Sequence, residues 1–132
     1  IGLEFISRGA AFVDFVDSDR HNYEQFRYNL EPFYAQIEDK FRFWHGKLRW
    51  MLEQVEGSKR WDVIWLDPPF IKMPRDELSD LLTQRRAKLF VLHYDKQGAP
   101  AYDQLLERAK NDYTLAYQRQ FGVSTVTILV IR

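Results

Sequence analysis

An acid, two prolines and an aromatic residue, Asp67-Pro68-Pro69-Phe70, follow directly on the apolar run Trp61-Asp62-Val63-Ile64-Trp65-Leu66. Together they could carry one particular chemistry. The exocyclic amine of a purine is a poor nucleophile because its lone pair is delocalised into the ring. A carboxylate, from Asp67, and a free carbonyl, from Pro68, can accept its two N–H bonds. That favours a pyramidal nitrogen with its lone pair aimed at an electrophile. The ring of Phe70 can stack on the base, a contact worth about 1–3 kcal/mol. With the electrophilic carbon about 3–3.5 Å away and in line, positioning supplies much of the acceleration. The prolines fix the backbone before the base arrives. The plainer reading is that Asp-Pro-Pro only ends a strand, since consecutive prolines cannot continue a ladder.

A second acid, Asp17, closes the β-rich run that begins at Phe12. In open α/β sheets, ligands bind outside the carboxyl ends of the strands. A carboxylate there can accept hydrogen bonds from a ribose diol. Other chemistry is poorly supported. His21, His45 and His93 stand on different elements with no metal-ligand spacing among them, so no metal site is expected. His93, beside Tyr94, either lines a pocket or ends a strand. Ser7 and Ser18 lack the pattern of a nucleophile. Trp65 is expected in the core, while Trp44 and Trp50 are left open. The cluster Arg85-Arg86-Lys88 reads as a solvated helix end favoured by the helix dipole.

The elements that must position these residues follow from periodicity. The first nine residues, with Leu3 and Ile6 on one face and Gly9 as a stop, read as the tail of a helix cut upstream. From about Asp19, which can cap it, Tyr23, Phe26, Leu30, Phe33 and Ile37 repeat at helical spacing, with Pro32 as a break. Phe41–Trp44 is a short strand, Leu48, Met51, Leu52 and Val55 stripe a helix, and Gly57-Ser58 is a turn. The near-continuous run of residues 61–66 predicts a strand buried on both faces. A helix from near Arg75 carries Leu78, Leu81 and Leu82. Leu89–Leu92 is another buried strand, and Tyr102, Leu105, Leu106 and Ala109 mark a last helix. Two β-rich runs, residues 113–121 and 123–131, form a hairpin around Gly122. The order predicts a doubly wound α/β sheet, with helices on both faces and an antiparallel end.

The 132 residues, without repeat or linker, predict a single domain spanning 1–132. Their 45% hydrophobic content, with 10 Phe, 7 Tyr and 4 Trp, excludes disorder as the default. Nineteen basic residues balance nineteen acidic ones, which argues against a polybasic nucleic-acid binder. No run is long and apolar enough for a membrane span, so no membrane partner is expected. The absence of cysteine excludes disulfides and is compatible with a reducing compartment.

Several segments recur in the order of a known family: Gly2-Leu3-Glu4-Phe5-Ile6-Ser7-Arg8-Gly9-Ala10, Phe15-Val16-Asp17-Ser18-Asp19-Arg20, Asn29-Leu30, residues 61–70, and Phe121-Gly122 before a β run. Over almost the whole chain the sequence resembles the RsmD-type methyltransferases. The resemblance implies a Rossmann-like sheet and transfer of a methyl group from S-adenosylmethionine to an exocyclic guanine amine of small-subunit ribosomal RNA. It implies that Asp17 and Ser18 lie at the cofactor and that Asp67 and the Pro68 carbonyl hold the amine. Phe70 would stack on the base, and Lys72 and Arg75 would face the RNA backbone. The partner would be ribosomal RNA or a small-subunit assembly particle in the cytoplasm.

Three departures stand out. The family's first strand and Gly-rich loop, which precede Gly2-Leu3-Glu4, are missing, and their loss would open a gap in the ladder. His45-Gly46-Lys47 replaces a Gly-Asp whose acid reaches the cofactor adenine, and lysine cannot accept that hydrogen bond. His93 stands where an acid is common. These departures keep a second reading open, a catalytically inactive relative that binds RNA or the ribosome.

Overall fold

A computed structural model describes residues 1–69 and 72–132. The chain divides into two compact units, Ile1–Gly57 and Ser58–Arg132. In the first, α1 (Gly2–Ser7) leads through Gly9, at a φ of 100° that suits glycine, toward β1 (Val13–Asp17). Helix α2 (Arg20–Leu30) starts where the sequence places its cap, the Asp19 carboxylate accepting from the Asn22 amide at 3.0 Å. Pro32 falls in a 3-10 turn, Glu31–Phe33, which separates α2 from the short α3 (Tyr34–Ile37). Strand β2 (Phe41–His45) and α4 (Leu48–Gln54) complete the unit.

Strands β1 and β2 are parallel, and their register sets Asp17 opposite His45 at the carboxyl ends. Rings hold this pair against α2. Phe26 packs 4.7 Å from Phe15 and 4.8 Å from Phe43, centroid to centroid. Trp44 is buried, 5% exposed, and donates its indole N–H to Asp14 at 3.0 Å, whereas Trp50 is 45% exposed and packs edge-on against it.

The second unit holds β3 (Trp61–Leu66), α5 (Arg75–Thr83), β4 (Ala87–Asp95), α6 (Ala99–Ala109), β5 (Tyr113–Phe121) and β6 (Ser124–Ile131). Its sheet runs β3-β4-β6-β5, with β3 and β4 parallel and the other pairs antiparallel. The expected terminal hairpin is present, and Gly122 takes a positive φ of 60° at its turn. Leu78, Leu81 and Leu82 of α5 join Phe90 and Leu92 of β4 and Tyr102 and Leu105 of α6 among the buried residues. Tyr113 donates its hydroxyl to the Ala87 carbonyl at 3.0 Å.

Two sequence expectations need correction. Strand β3 is not buried on both faces, for Val63 is 37% and Trp65 40% exposed, so Trp65 is not a core residue. Val63 and Trp65 share one face of the strand, which is incompletely covered, and among the described residues β3 is bonded to β4 alone, at the edge of its sheet. The strand buried almost throughout is β4, which has a neighbour on each side. Arg86 is not solvated either. It is buried, donates Nε to the Lys59 carbonyl at 2.7 Å and lies over the Trp61 ring at 5.4 Å. Burial, then the charge of Arg60, holds its guanidinium below the ordinary arginine value. Beyond the end of α5, after the cap residue Gln84, Arg85 takes the left-handed conformation at φ 52°.

The strands thus form an α/β arrangement in two sheets, one of two strands and one of four. Strands β1 and β3 each have one bonded neighbour among the described residues. Among those residues no helix is long and apolar enough to cross a membrane.

Candidate active site

Asp17 ends β1 with its carboxylate held in place. One oxygen accepts from the Asp19 amide at 2.8 Å, the other from the Asn22 side-chain amide at 3.0 Å. A carboxylate has about four lone-pair sites, so both oxygens keep acceptor capacity for a diol. The sequence reading missed Asn22. The signal was there in the spacing Asp17-x-Asp19-x-x-Asn22, which sets the first acid over the first turn of the helix that the second acid caps. Ser18 is exposed beside Asp17, and its hydroxyl makes no hydrogen bond among the described residues.

At the neighbouring strand end His45 stacks on Tyr23, with ring centroids 4.7 Å apart and planes at 16°. Gly46 follows because a Cβ there would stand 2.6 Å from Cε3 of Trp50. Lys47 is exposed just before α4, with no capping bond from its side chain. This corner therefore presents an exposed cation, and a lysine side chain can donate but not accept a hydrogen bond.

In the second unit Asp67 leaves β3 in the residue after Leu66, whose register partner on β4 is Leu92. His93, the residue after Leu92, thus emerges beside it. The His93 Nδ1 lies 2.7 Å from Oδ1 of Asp67, with the two side chains 26% and 44% exposed. An ionised carboxylate can only accept, so Nδ1 carries the proton in that contact. Among the described residues Oδ2 of Asp67 accepts no hydrogen bond. The acid is paired but open to solvent.

The two prolines differ in a way the sequence does not reveal. The Pro69 carbonyl accepts from the Lys72 amide at 2.9 Å. The Pro68 carbonyl accepts nothing among the described residues. Lys72 and Arg75 are both exposed just beyond, Arg75 as the first residue of α5. Phe70, the expected stacking ring, lies outside the described residues. Pro68, Pro69, Met73, His93, Tyr94, Gly98 and Tyr102 line a shallow cleft too tight to admit a water molecule.

Tyr102 forms the floor of that cleft. It is 1% exposed, its ring stacks on Tyr94 at 4.1 Å, and its hydroxyl has no hydrogen-bond partner among the described residues. Burial foremost, then Tyr94 and the charge of Asp67, pushes the hydroxyl above the ordinary tyrosine range. The raised value means that folding favours the neutral phenol. This contribution is complete below about pH 10, the ordinary tyrosine value, and is lost as pH rises through the folded-state value. An unpaired buried hydroxyl costs about 1–3 kcal/mol. Tyr102→Phe is therefore expected to raise stability near pH 7 by about 1 kcal/mol, the low end of that range. It should also soften the alkaline fall in melting temperature without abolishing it, since burial raises Tyr113 as well. Thermal melts at neutral and alkaline pH check both, and a lower melting temperature for the variant at neutral pH would contradict the assignment.

Comparison with known proteins places this arrangement. The family model described as conserved hypothetical protein 95 matches residues 1–129. No curated protein matches the chain by sequence. Among solved structures, the proposed methyltransferase YhhF from Escherichia coli superposes with a TM-score of 0.75 at 18% identity, covering 99% of this chain and 69% of that one. The proposed methylase HI0767 from Haemophilus influenzae gives 0.74 at 21% identity, covering 98% and 78%. An rRNA methylase from Escherichia coli gives 0.60 at 11% identity, covering 98% of this chain and 52% of that one. At such identities the likeness is one of fold, the Rossmann-like arrangement of methyltransferases.

Proposed function

The chain belongs to the family described as conserved hypothetical protein 95, that of the RsmD-type methyltransferases, and we propose that it methylates an exocyclic guanine amine of small-subunit ribosomal RNA. The observation that carries this reading is the pair of uncommitted acceptors after β3. Oδ2 of Asp67 and the carbonyl of the adjacent Pro68 accept nothing from the described protein, while the next carbonyl, of Pro69, is taken by Lys72. An amine with two N–H bonds needs two such acceptors. One of them, a carboxylate, also stabilises the positive charge that grows on nitrogen as a fourth bond forms.

S-adenosylmethionine, the cofactor of this reading, supplies an electrophilic methyl group on a sulfonium when bound. The residues of the first unit fit it in part. Asp17, held by Asn22 and the Asp19 amide, offers the acceptors a ribose needs, with Ser18 beside it. Lys47 offers its adenine no acceptor side chain. In the second unit Lys72 and Arg75 supply exposed positive charge for a phosphate backbone, and Phe70 would stack on the target base. The reading treats residues 1–132 as one catalytic domain. The rRNA methylase of the same fold supports RNA, free or in an assembly particle, as the substrate class.

The exposed Lys47 favours a second reading, a catalytically inactive module that binds RNA or the ribosome. Titrating the full-length protein with S-adenosylmethionine in a calorimeter separates the two. Saturable heat with a micromolar Kd, abolished with the Asp17 carboxylate, supports the enzyme. Silence alongside retained RNA binding supports the module.

A further inference from the structure

Resting on the reading of Asp67 as an amine acceptor, we propose that His93 is a positioning residue that locks the Asp67 carboxylate in its working rotamer. The pair arises from strand register. Leu66 and Leu92 are partners in the parallel β3–β4 ladder, so Asp67, just past the end of β3, comes to lie beside His93, which continues β4 opposite Val126 of β6. The result is a 2.7 Å contact between Nδ1 of His93 and Oδ1 of Asp67. The carboxylate needs such an anchor, because its side chain is 44% exposed and stands at the end of its strand. An unrestrained side chain of this kind distributes over about three staggered wells.

No other described side chain holds it. The hydroxyl of Tyr102 is close enough for the charge of Asp67 to act on it, yet among the described residues it is bonded to nothing. The backbone that carries the imidazole is itself held, with His93 paired to Val126 in the β4–β6 ladder. The His93 side chain is 26% exposed, and its neighbour Tyr94 is fixed by stacking on Tyr102 and by a 2.9 Å hydrogen bond to Thr127. A planar donor on a sheet-held backbone thus takes up Oδ1 and leaves Oδ2 for the incoming amine. His93 touches no reacting atom in this role; it acts through Asp67.

The test uses the full-length protein, S-adenosylmethionine and unmethylated small-subunit ribosomal RNA, with His93→Ala, His93→Asn and Asp67→Ala. Asparagine can place its amide nitrogen near the position of the ring Nδ1 and so keeps a donor. If the three wells fill evenly without the anchor, the productive one is held about a third of the time. His93→Ala should therefore lower kcat about three- to tenfold with the KM for S-adenosylmethionine unchanged. In the same variant, NMR scalar couplings should show Asp67 χ1 averaging among rotamers. His93→Asn should restore kcat to within about twofold, with a single χ1 rotamer regained. Wild-type kcat and a single Asp67 rotamer in a folded His93→Ala protein would overturn the proposal. So would His93→Asn being folded yet as impaired as alanine. Asp67→Ala keeps the underlying reading separate: wild-type turnover in that variant would refute Asp67 as the acceptor, whereas the coupling measurement reports on the pairing by itself.

Discussion

Replacing Asp67 by alanine is expected to lower turnover by about 10²–10³-fold, the range typical for removing one preorganised polar group from a reacting centre. The affinity for S-adenosylmethionine should stay within about twofold, because an interaction made only with the reacting amine leaves ground-state cofactor binding untouched. The variant should fold. Asp67 follows the last residue of an edge strand, its side chain is half in solvent, and its one recorded side-chain contact is to His93. Single-turnover methyl transfer and cofactor calorimetry on the same preparation provide the check. Equal losses in rate and cofactor affinity would contradict the role given to this acid. Asp67→Asn sharpens the result, since an amide keeps the shape but loses the charge that offsets a developing ammonium.

The second large effect belongs to Asp17. Asp17→Asn should weaken S-adenosylmethionine binding about 10–100-fold, since hydrogen bonds to a charged group contribute about 1.5–3 kcal/mol. Substitution by asparagine preserves an oxygen that can accept from the Asp19 amide, so the start of α2 should survive. The cap itself is made by Asp19, not Asp17. With RNA and saturating cofactor, the rate should recover toward wild type. That recovery distinguishes a binding defect from a chemical one. Unchanged affinity would remove Asp17 from the cofactor site.

Much of the fold was legible because local signals agreed with one another. Asp19 caps α2 and Pro32 interrupts the helical run that follows, as their chemistry dictates. The leucines of α5 and the hairpin at Gly122 also stand where periodicity puts them. Trp65 shows where such reading fails. An apolar run records what a strand could bury, whereas its place in the sheet decides what is buried, and β3 lies at an edge. Arg86 fails for the complementary reason. Its carbonyl partner, on Lys59, is 27 residues away, and no local pattern announces it.

The candidate site divides in the same way. The acids at the strand ends could be read from residue type and position, because a carboxylate after an apolar run is visible in one dimension. The partners of those acids were harder. Asn22 was recoverable from local spacing, while the contact between His93 and Asp67 depends on the parallel register of two strands 26 residues apart. The unequal use of the Pro68 and Pro69 carbonyls is a backbone fact, and residue identity carries no trace of it.

Nucleoside analysis by mass spectrometry bears on the amine-acceptor role of the Asp67 corner without intermediaries. Small-subunit ribosomal RNA lacking its base methyl groups is incubated with the full-length protein and S-adenosylmethionine, then digested to nucleosides. The expected product is guanosine methylated on its exocyclic amine, formed by the wild type and nearly absent with Asp67→Ala. Methyl groups found only on a ring nitrogen, a ribose or a phosphate would contradict the account, as would the same product at an undiminished rate from the alanine variant.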